Sequence, residues 1–164
     1  MDIRQATPAD AAGICAIYNE HVANTLVSFE TEPVSAPDME ARIWEKLLHH
    51  DWLVGVQGHI VGYAYYGSFR ARAAYRHTVE STIYLAKDVQ GRGLGRQLYG
   101  ALINSAETNG YREIVGVIAL PNPASIALHQ KMGFEEVGVL KNVGHKFDAY
   151  VDVGLWQRSL VRFC

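Results

Sequence analysis

Cysteine is nearly missing from this sequence. Its 164 residues hold two, Cys15 in an amphipathic stretch and Cys164 at the last position. Two separated thiols build no disulfide framework and suit a reducing compartment, so a cytoplasmic protein is expected. Metal-ligand spacing is lacking as well. Seven histidines are scattered, only His49 and His50 adjoin, and no Cys pair accompanies them, so no metal is expected. Charge of one sign is also lacking. Fifteen basic residues against 17 acidic ones leave a net charge of −2, which gives no electrostatic case for nucleic acid or an anionic membrane as partner. No apolar run reaches membrane-spanning length, and MDIRQATPAD lacks the basic end and apolar core of a signal peptide. Repeats, low-complexity tracts and long linkers do not occur. A hydrophobic share of 49% and a charged share of 20% are those of an ordinary globular chain, so one domain over 1–164 is expected.

What is present falls into alternating blocks. A short strand leads to Thr7, Pro8 and Asp10, which together read as a helix start. Ile14, Ile17 and Tyr18 share the face of that helix. A second helix begins at Ser35 with Pro37 in its first turn, and Ile43, Trp44, Leu47 and Leu48 form its apolar stripe. TLVSFETEPV between them reads as a loop or an edge strand. WLVGVQGHIVGYAYYGSF is a hairpin turning at Gln57-Gly58-His59. After the polar connection RARAAYRH, TVESTIYL is a strand with Val79, Ser81, Ile83 and Leu85 on one face and Glu80, Thr82 and Tyr84 on the other. LGRQLYGALINSAETNG is a helix striped by Leu94, Leu98, Leu102 and Ala106 and stopped at Asn109-Gly110. A strand (EIVGVIAL), a helix closed by Gly133, and two strands complete the order β α α β β β α β α β β. That order predicts an α/β (α+β) fold: a twisted, mixed, mostly antiparallel sheet flanked by about four helices, with parallel pairing only at a helical crossover.

Between strand and helix stands QGRGLGR, residues 90–96. Glycines this dense cost entropy, so the backbone there must be bare for a reason. A mononucleotide loop needs a Lys-Ser/Thr pair that does not occur. A dinucleotide fingerprint needs G-x-G-x-x-G early in a parallel fold, whereas Gly91, Gly93 and Gly95 give G-x-G-x-G halfway along. The remaining frame is Q-x-x-G-x-G, formed by Gln90, Gly93 and Gly95. It presents successive amides at a helix N-terminus, suited to a pyrophosphate, with Arg92 and Arg96 adding positive charge.

That frame resembles the coenzyme A motif of the GNAT N-acetyltransferase superfamily. Asn122, Ser125, His129, Gly133 and Phe134 match the superfamily's next block. TVESTIYL, VIALPNPASIALHQKMGF, VGHKF and DVGLWQ are similar to the phosphinothricin acetyltransferase branch, which also acts on methionine sulfoximine and methionine sulfone. The resemblance runs from the first helix to Trp156. It implies the GNAT acyl-CoA N-acyltransferase fold, acetyl-CoA as co-substrate, and a homodimer in which the region around His145, Lys146 and Phe147, expected on the last turn, packs across a two-fold interface.

Acetyl transfer to an amine requires a neutral amine, a positioned thioester, a stabilised oxyanion and a proton for the leaving thiolate. Glu80 is the candidate base, on the strand leading to the glycines, where partial burial would raise its pKa. His129 is the second catalytic candidate. Many superfamily members carry Tyr there and the branch carries His, so His129 is open to three roles, general acid, hydrogen-bond partner of the thiol or aid to deprotonation, and to that of a plain helix-surface histidine. The resemblance places the coenzyme along Ile83, Tyr84 and Leu85, then Gln90, Gly91, Arg92, Gly93, Leu94, Gly95 and Arg96, with Asn122 and Ser125 beside the pantetheine. For an amino acid with an oxygen-rich head, Arg72 can grip an anion. Tyr75 and Tyr84 offer phenolic groups and Phe29 an apolar wall. By resemblance Phe29, Arg72, Tyr75, Glu80 and Thr82 match pocket positions. Val117 fits the pocket floor or the core equally, Arg70 matches a basic position of the branch or faces solvent, and Arg76 is expected either at the pocket or in solvent.

The activity expected is N-acetylation of an amino acid's α-amino group by direct attack in a ternary complex, since neither Cys lies in a motif block. Other amines (a polyamine, a protein N-terminus) are the alternative within the class. A non-catalytic acyl-CoA sensor is the alternative outside it. RARAAYR argues against a polyamine, and Glu80 beside a complete coenzyme block argues for turnover.

Overall fold

The structure is a computed structural model describing residues 1–161; Cys164, one of the two thiols, lies outside them. Strands β1 (Asp2–Gln5), β2 (Trp52–Gln57), β3 (His59–Ser68), β4 (Thr78–Leu85), β5 (Glu113–Leu120), β6 (Glu135–Lys146) and β7 (Ala149–Ser159) alternate with helices α1 (Ala11–Asn24), α2 (Ala36–Leu47), α3 (Leu94–Thr108) and α4 (Pro123–Lys131) in the expected order. The strands form one sheet in the order β1-β2-β3-β4-β5-β7-β6. Every neighbouring pair is antiparallel except β4–β5, which α3 joins as a crossover.

Alternation along the strands gives the sheet two apolar faces. Tyr63, Val54 and Trp52 meet Ile14, Ile17, Met39 and Ile43 of α1 and α2 on one side. Ala64, Tyr66, Val79 and Ile114 meet Leu98, Leu102 and Ala106 of α3 on the other, where Ile126, Leu128 and Met132 of α4 also pack. Glu80, Thr82 and Tyr84 therefore point toward the α1/α2 face, opposite Gly67, Tyr65 and Tyr63 in the register with β3.

One local expectation is borne out and two are corrected. Thr7 is the extended N-cap of the short turn Pro8–Asp10 that leads into α1, with Pro8 opening it and Asp10 in its first turn. The Asp10 carboxylate accepts from the Thr7 N–H at 2.8 Å and from the Arg4 guanidinium at 2.8 and 2.7 Å, and chiefly that Arg4 bond holds its pKa at about 2. Trp44 and Leu48 stand 63% and 57% exposed. Met39 and Ile43, four apart on one face, make the core contact of α2, and Ser35 caps it by accepting from the Asp38 N–H at 3.2 Å. His145 and Lys146 end strand β6 rather than forming the turn. The turn is Phe147-Asp148 alone, both left-handed (φ 52° and 57°), as a two-residue hairpin loop requires. TLVSFETEPV forms a loop, not an edge strand.

Candidate active site

Strands β4 and β5 pair over Thr78–Ser81 and Glu113–Gly116 and then part. The Ala86 N–H donates to Val61 O and Thr78 O accepts from the Phe69 N–H, so even-numbered peptide groups of β4 face β3. By strand alternation Ile83 and Leu85 turn theirs to the other edge, into the fork that β5 has left. The Ile83 peptide group and the Leu85 N–H are thereby offered to an extended amide-bearing chain, while Leu85 O already accepts from within the protein, including from Gln90 Nε2 at 3.5 Å. From α1, His21 Nε2 lies 3.1 Å from Leu85 O. A carbonyl only accepts, so this nitrogen donates.

The glycine stretch lies between the end of β4 and the start of α3. Gly91 and Gly93 have φ of 76° and 78°, a region that side-chain-bearing residues enter only at a cost. Apart from their chain neighbours, no atom of the described residues lies within 4 Å of where their Cβ atoms would be, so the space above this turn is open. Gly93 caps α3, and the first helical bond runs from Gln97 N–H to Gly93 O. The amides of Leu94, Gly95 and Arg96 are thus free for an anion at the positive end of the helix. Gly95 is bare for a different reason: a Cβ there would lie 3.1 Å from Leu85 Cδ1 and 3.6 Å from Leu128 Cδ2. Two glycines shape the loop, and the third lets α3 close on the fork.

Glu80 sits at the last paired stretch before the fork, half-buried, and burial pushes its pKa up, opposed by the positive charges of Arg70 and Lys46. Arg70, left between a basic pocket position and solvent, belongs to the carboxylate's surroundings; its guanidinium lies 5.0 Å over the Phe69 ring. Lys46 was not legible as a site residue. Its Nζ lies where a Cβ of Gly67 would meet it at 2.5 Å, directly across the register from Glu80. Beyond Lys46 and Tyr65 a cavity of about 440 Å³ extends under α2, lined also by Arg42, His49, Trp52 and Tyr63.

His129 is 4% exposed, on the α3/α4 face of the fork. Its Nδ1 lies 2.8 Å from Ser125 O and its Nε2 3.1 Å from Tyr99 Oη. The carbonyl only accepts, so Nδ1 carries the proton and Nε2 accepts from Tyr99. Tyr99 in turn lies 2.8 Å from Ser81 Oγ, which reaches Val115 O at 3.1 Å. The imidazole rests on Gly116, where a Cβ would collide with Nε2. Burial lowers the His129 pKa, only partly offset by the Ser125 carbonyl. Both ring nitrogens are thus occupied by partners within the protein. Asn122 caps α4, its Oδ1 accepting from the Ser125 N–H at 3.1 Å, which leaves its amide nitrogen for other partners.

The pocket wall comes from the loop after α1. Asn19 clamps it by accepting from Val34 N–H at 2.8 Å and donating to Val34 O at 2.9 Å. Arg42 holds Glu30 bidentately at 3.0 and 2.6 Å. Phe29 is 41% exposed. Tyr84 tucks its ring against Tyr18, His21 and Tyr63 and its hydroxyl lies 3.4 Å from Val27 O, so its donor is turned toward the loop. Val117 is 42% exposed beside the fork and is not a core residue. Arg72 and Tyr75 sit on the exposed connection between β3 and β4, with Tyr75 edge-on to Phe69 at 5.7 Å. No ion pair among the described residues uses Arg72 or Arg76. The Arg76 guanidinium instead lies 3.5 Å from Ala73 O, within its own turn.

A forked sheet with an amide cradle at one end and a half-buried carboxylate at the other defines an acyl-CoA-dependent N-acyltransferase. Residues 3–155 match the acetyltransferase (GNAT) domain family, and the chain belongs to it; it is an enzyme of the acyltransferase class. It is 40% identical over 160 residues to a phosphinothricin N-acetyltransferase of Streptomyces viridochromogenes, covering 97% of this chain and 87% of that one. It is 38% identical over 161 residues to an L-methionine sulfoximine/L-methionine sulfone acetyltransferase of Pseudomonas aeruginosa, covering 96% and 94%. The crystal structure of a GNAT superfamily phosphinothricin acetyltransferase from Sinorhizobium meliloti in complex with acetyl-CoA has a TM-score of 0.93 to it at 35% identity, over 96% and 87% of the two chains. The expected fold is the observed one.

Proposed function

We propose that this protein transfers acetyl from acetyl-CoA to the α-amino group of small amino acids and of analogues such as methionine sulfone, methionine sulfoximine and phosphinothricin. The observation that carries this reading is the position of Glu80, one residue before the fork, where an amine and an acyl donor laid along β4 would meet. The open turn at Gly91 and Gly93 and the free amides of Leu94, Gly95 and Arg96 suit a pyrophosphate, with Gln90, Arg92 and Arg96 beside it. Acetyl-CoA supplies an acyl group activated as a thioester.

In this reading the peptide groups of Ile83 and Leu85 hold the pantetheine arm and the thioester oxygen, an N–H there stabilising the charge that gathers on oxygen. Asn122 and Ser125 flank the arm from α4. Glu80 takes one proton from the ammonium, and the neutral nitrogen attacks the thioester carbon. The C–S bond breaks, and the proton taken up by sulfur balances the second one shed by nitrogen. His129 serves catalysis by position, holding Tyr99 and the floor of the fork. Arg72 and Tyr75 receive the substrate's anionic head, Thr82 lies beside Glu80, and Phe29, Tyr84 and Val117 wall the pocket. Arg70 and Lys46 keep the carboxylate's pKa from rising too far.

The enzyme acts as one domain in the cytoplasm, a reading that the free, buried Cys15 suits. Val137, Leu140, Val143, Phe147 and Tyr150 expose apolar surface on β6, β7 and their turn, which supports a homodimer through this hairpin. Acetylating a toxic amino-acid analogue would confer resistance to it. The test is thiol release from acetyl-CoA with a panel of amino acids, their sulfones and sulfoximines, phosphinothricin and polyamines. Release with the sulfur and phosphorus analogues is expected. Release with polyamines alone overturns the substrate class.

A further inference from the structure

Lys146 is 4% exposed, an unusual place for an ammonium group. Its Nζ donates to Ser28 O at 2.7 Å and to Thr25 O at 2.9 Å, and it lies 5.0 Å from the Phe147 ring. None of the ion pairs among the described residues includes it. Burying a charge without a carboxylate is costly, and a methionine would fill the same space without that cost. What the charge does receive is geometry. Thr25 caps the C-terminus of α1, where the helix dipole is negative and favours a cation. Ser28 is itself buried, its Oγ 2.8 Å from the Tyr18 hydroxyl. One ammonium thus ties the start of the 25–34 loop to the far end of β6, across 121 and 118 residues of sequence.

Two residues before Lys146, on the same face of β6, stands Gly144, also buried. A Cβ on Gly144 would overlap the Phe29 ring, coming within 2.5 Å of Cε2. Phe29 therefore packs its outer ring edge against bare backbone, one residue beyond the carbonyl that Lys146 holds. The glycine gives the ring its seat and the lysine fixes the loop that brings it there.

We propose that Lys146 is a positioning residue that sets amino-acid specificity, its two hydrogen bonds to Thr25 and Ser28 seating Phe29 on Gly144 and so fixing the width of the substrate pocket. The inference rests on the reading of Phe29 as a pocket wall. A merely stabilising lysine would, on removal, lower the amount of active enzyme without moving either KM. The positioning role moves one KM alone.

The experiment compares Lys146→Met, Gly144→Ala and Phe29→Ala in steady-state assays with methionine sulfone and acetyl-CoA. In Lys146→Met the KM for methionine sulfone rises at least tenfold, the KM for acetyl-CoA stays within twofold, and the preference for methionine sulfone over phenylalanine narrows. Gly144→Ala, which displaces the ring while leaving both lysine bonds in place, shifts the same KM in the same direction, and it decides the matter if Lys146→Met does not fold. If Phe29→Ala raises the KM for methionine sulfone but the foldable variants at 144 and 146 do not, the positioning role is overturned and the pocket reading stands. If Phe29→Ala leaves that KM unchanged, the pocket wall is wrong and the inference falls with it.

Discussion

The Tyr99 hydroxyl lies 3.1 Å from His129 Nε2, and this contact joins α3 to α4 beneath the point where β4 and β5 part. It also fixes the histidine's tautomer, because the other ring nitrogen already donates to Ser125 O. Removing the hydroxyl leaves a buried acceptor without a donor. Tyr99→Phe should therefore cost about 1–3 kcal/mol of stability, read as a lower urea midpoint with an unchanged m-value.

The same histidine gives stability a pH dependence. Burial holds its folded pKa below the ordinary value, so the unfolded chain binds the proton first. Stability from this group is present above the unfolded pKa of about 6.5 and declines as the pH falls from there toward the folded value. His129→Asn should flatten that part of the stability profile, measured by urea unfolding between pH 7.5 and 5. An unchanged slope would mean the ring is not held neutral.

Glu80 has the opposite shift and a different readout. Its pKa is raised chiefly by burial, so a base that must be ionised loses activity as the pH falls through a value above that of a free glutamate. Glu80→Gln should remove this acidic limb and lower kcat by about 10²–10⁴, the usual worth of general-base catalysis, with acetyl-CoA affinity nearly unaltered. Unchanged turnover removes Glu80 as the base.

Most of the architecture was legible because it rests on local rules. The periodicity around Leu94, Leu98 and Leu102, the turn at Gly58 and the stop at Asn109-Gly110 each bear on a few neighbouring residues, and all appear where expected. The resemblance added the coenzyme blocks. What stayed hidden depends on contacts across the sheet. The charge of Lys46 acts on Glu80 only because Gly67, opposite Glu80 on β3, leaves room for the ammonium, and Tyr99 matters only because α3 and α4 flank one fork. Lys146 looked like a turn residue because the two-residue turn at Phe147-Asp148 cannot be told by pattern from a longer one. Trp44 and Leu48 fit a helical stripe that α2 turns to solvent.

The three glycines of the loop should separate by mechanism. Gly93 has φ 78° with open space around it, so Gly93→Ala meets a backbone cost of roughly 1–2 kcal/mol and re-aims the free amides of α3. Acetyl-CoA binding by calorimetry should weaken about tenfold or more. Gly95→Ala carries no such backbone cost, but its methyl presses on Leu85 Cδ1 at 3.1 Å and should raise the KM for acetyl-CoA by disturbing the fork. Wild-type affinity in Gly93→Ala would remove the loop as the pyrophosphate site.

The arginines of the 69–77 connection divide by what they face. Arg70 acts on the Glu80 carboxylate, so Arg70→Ala should move the acidic limb of kcat/KM upward in pH as the carboxylate loses a stabilising charge. Arg72 joins no ion pair among the described residues and stands exposed at the turn, open to a substrate anion. Losing a charged hydrogen bond of about 1.5–3 kcal/mol should raise the amino-acid KM by roughly ten- to hundredfold in Arg72→Ala, with little change for acetyl-CoA. Equal effects on both KM values would assign Arg72 to the fold rather than to the substrate. A pH limb that moves in Arg72→Ala but not in Arg70→Ala would exchange the two roles.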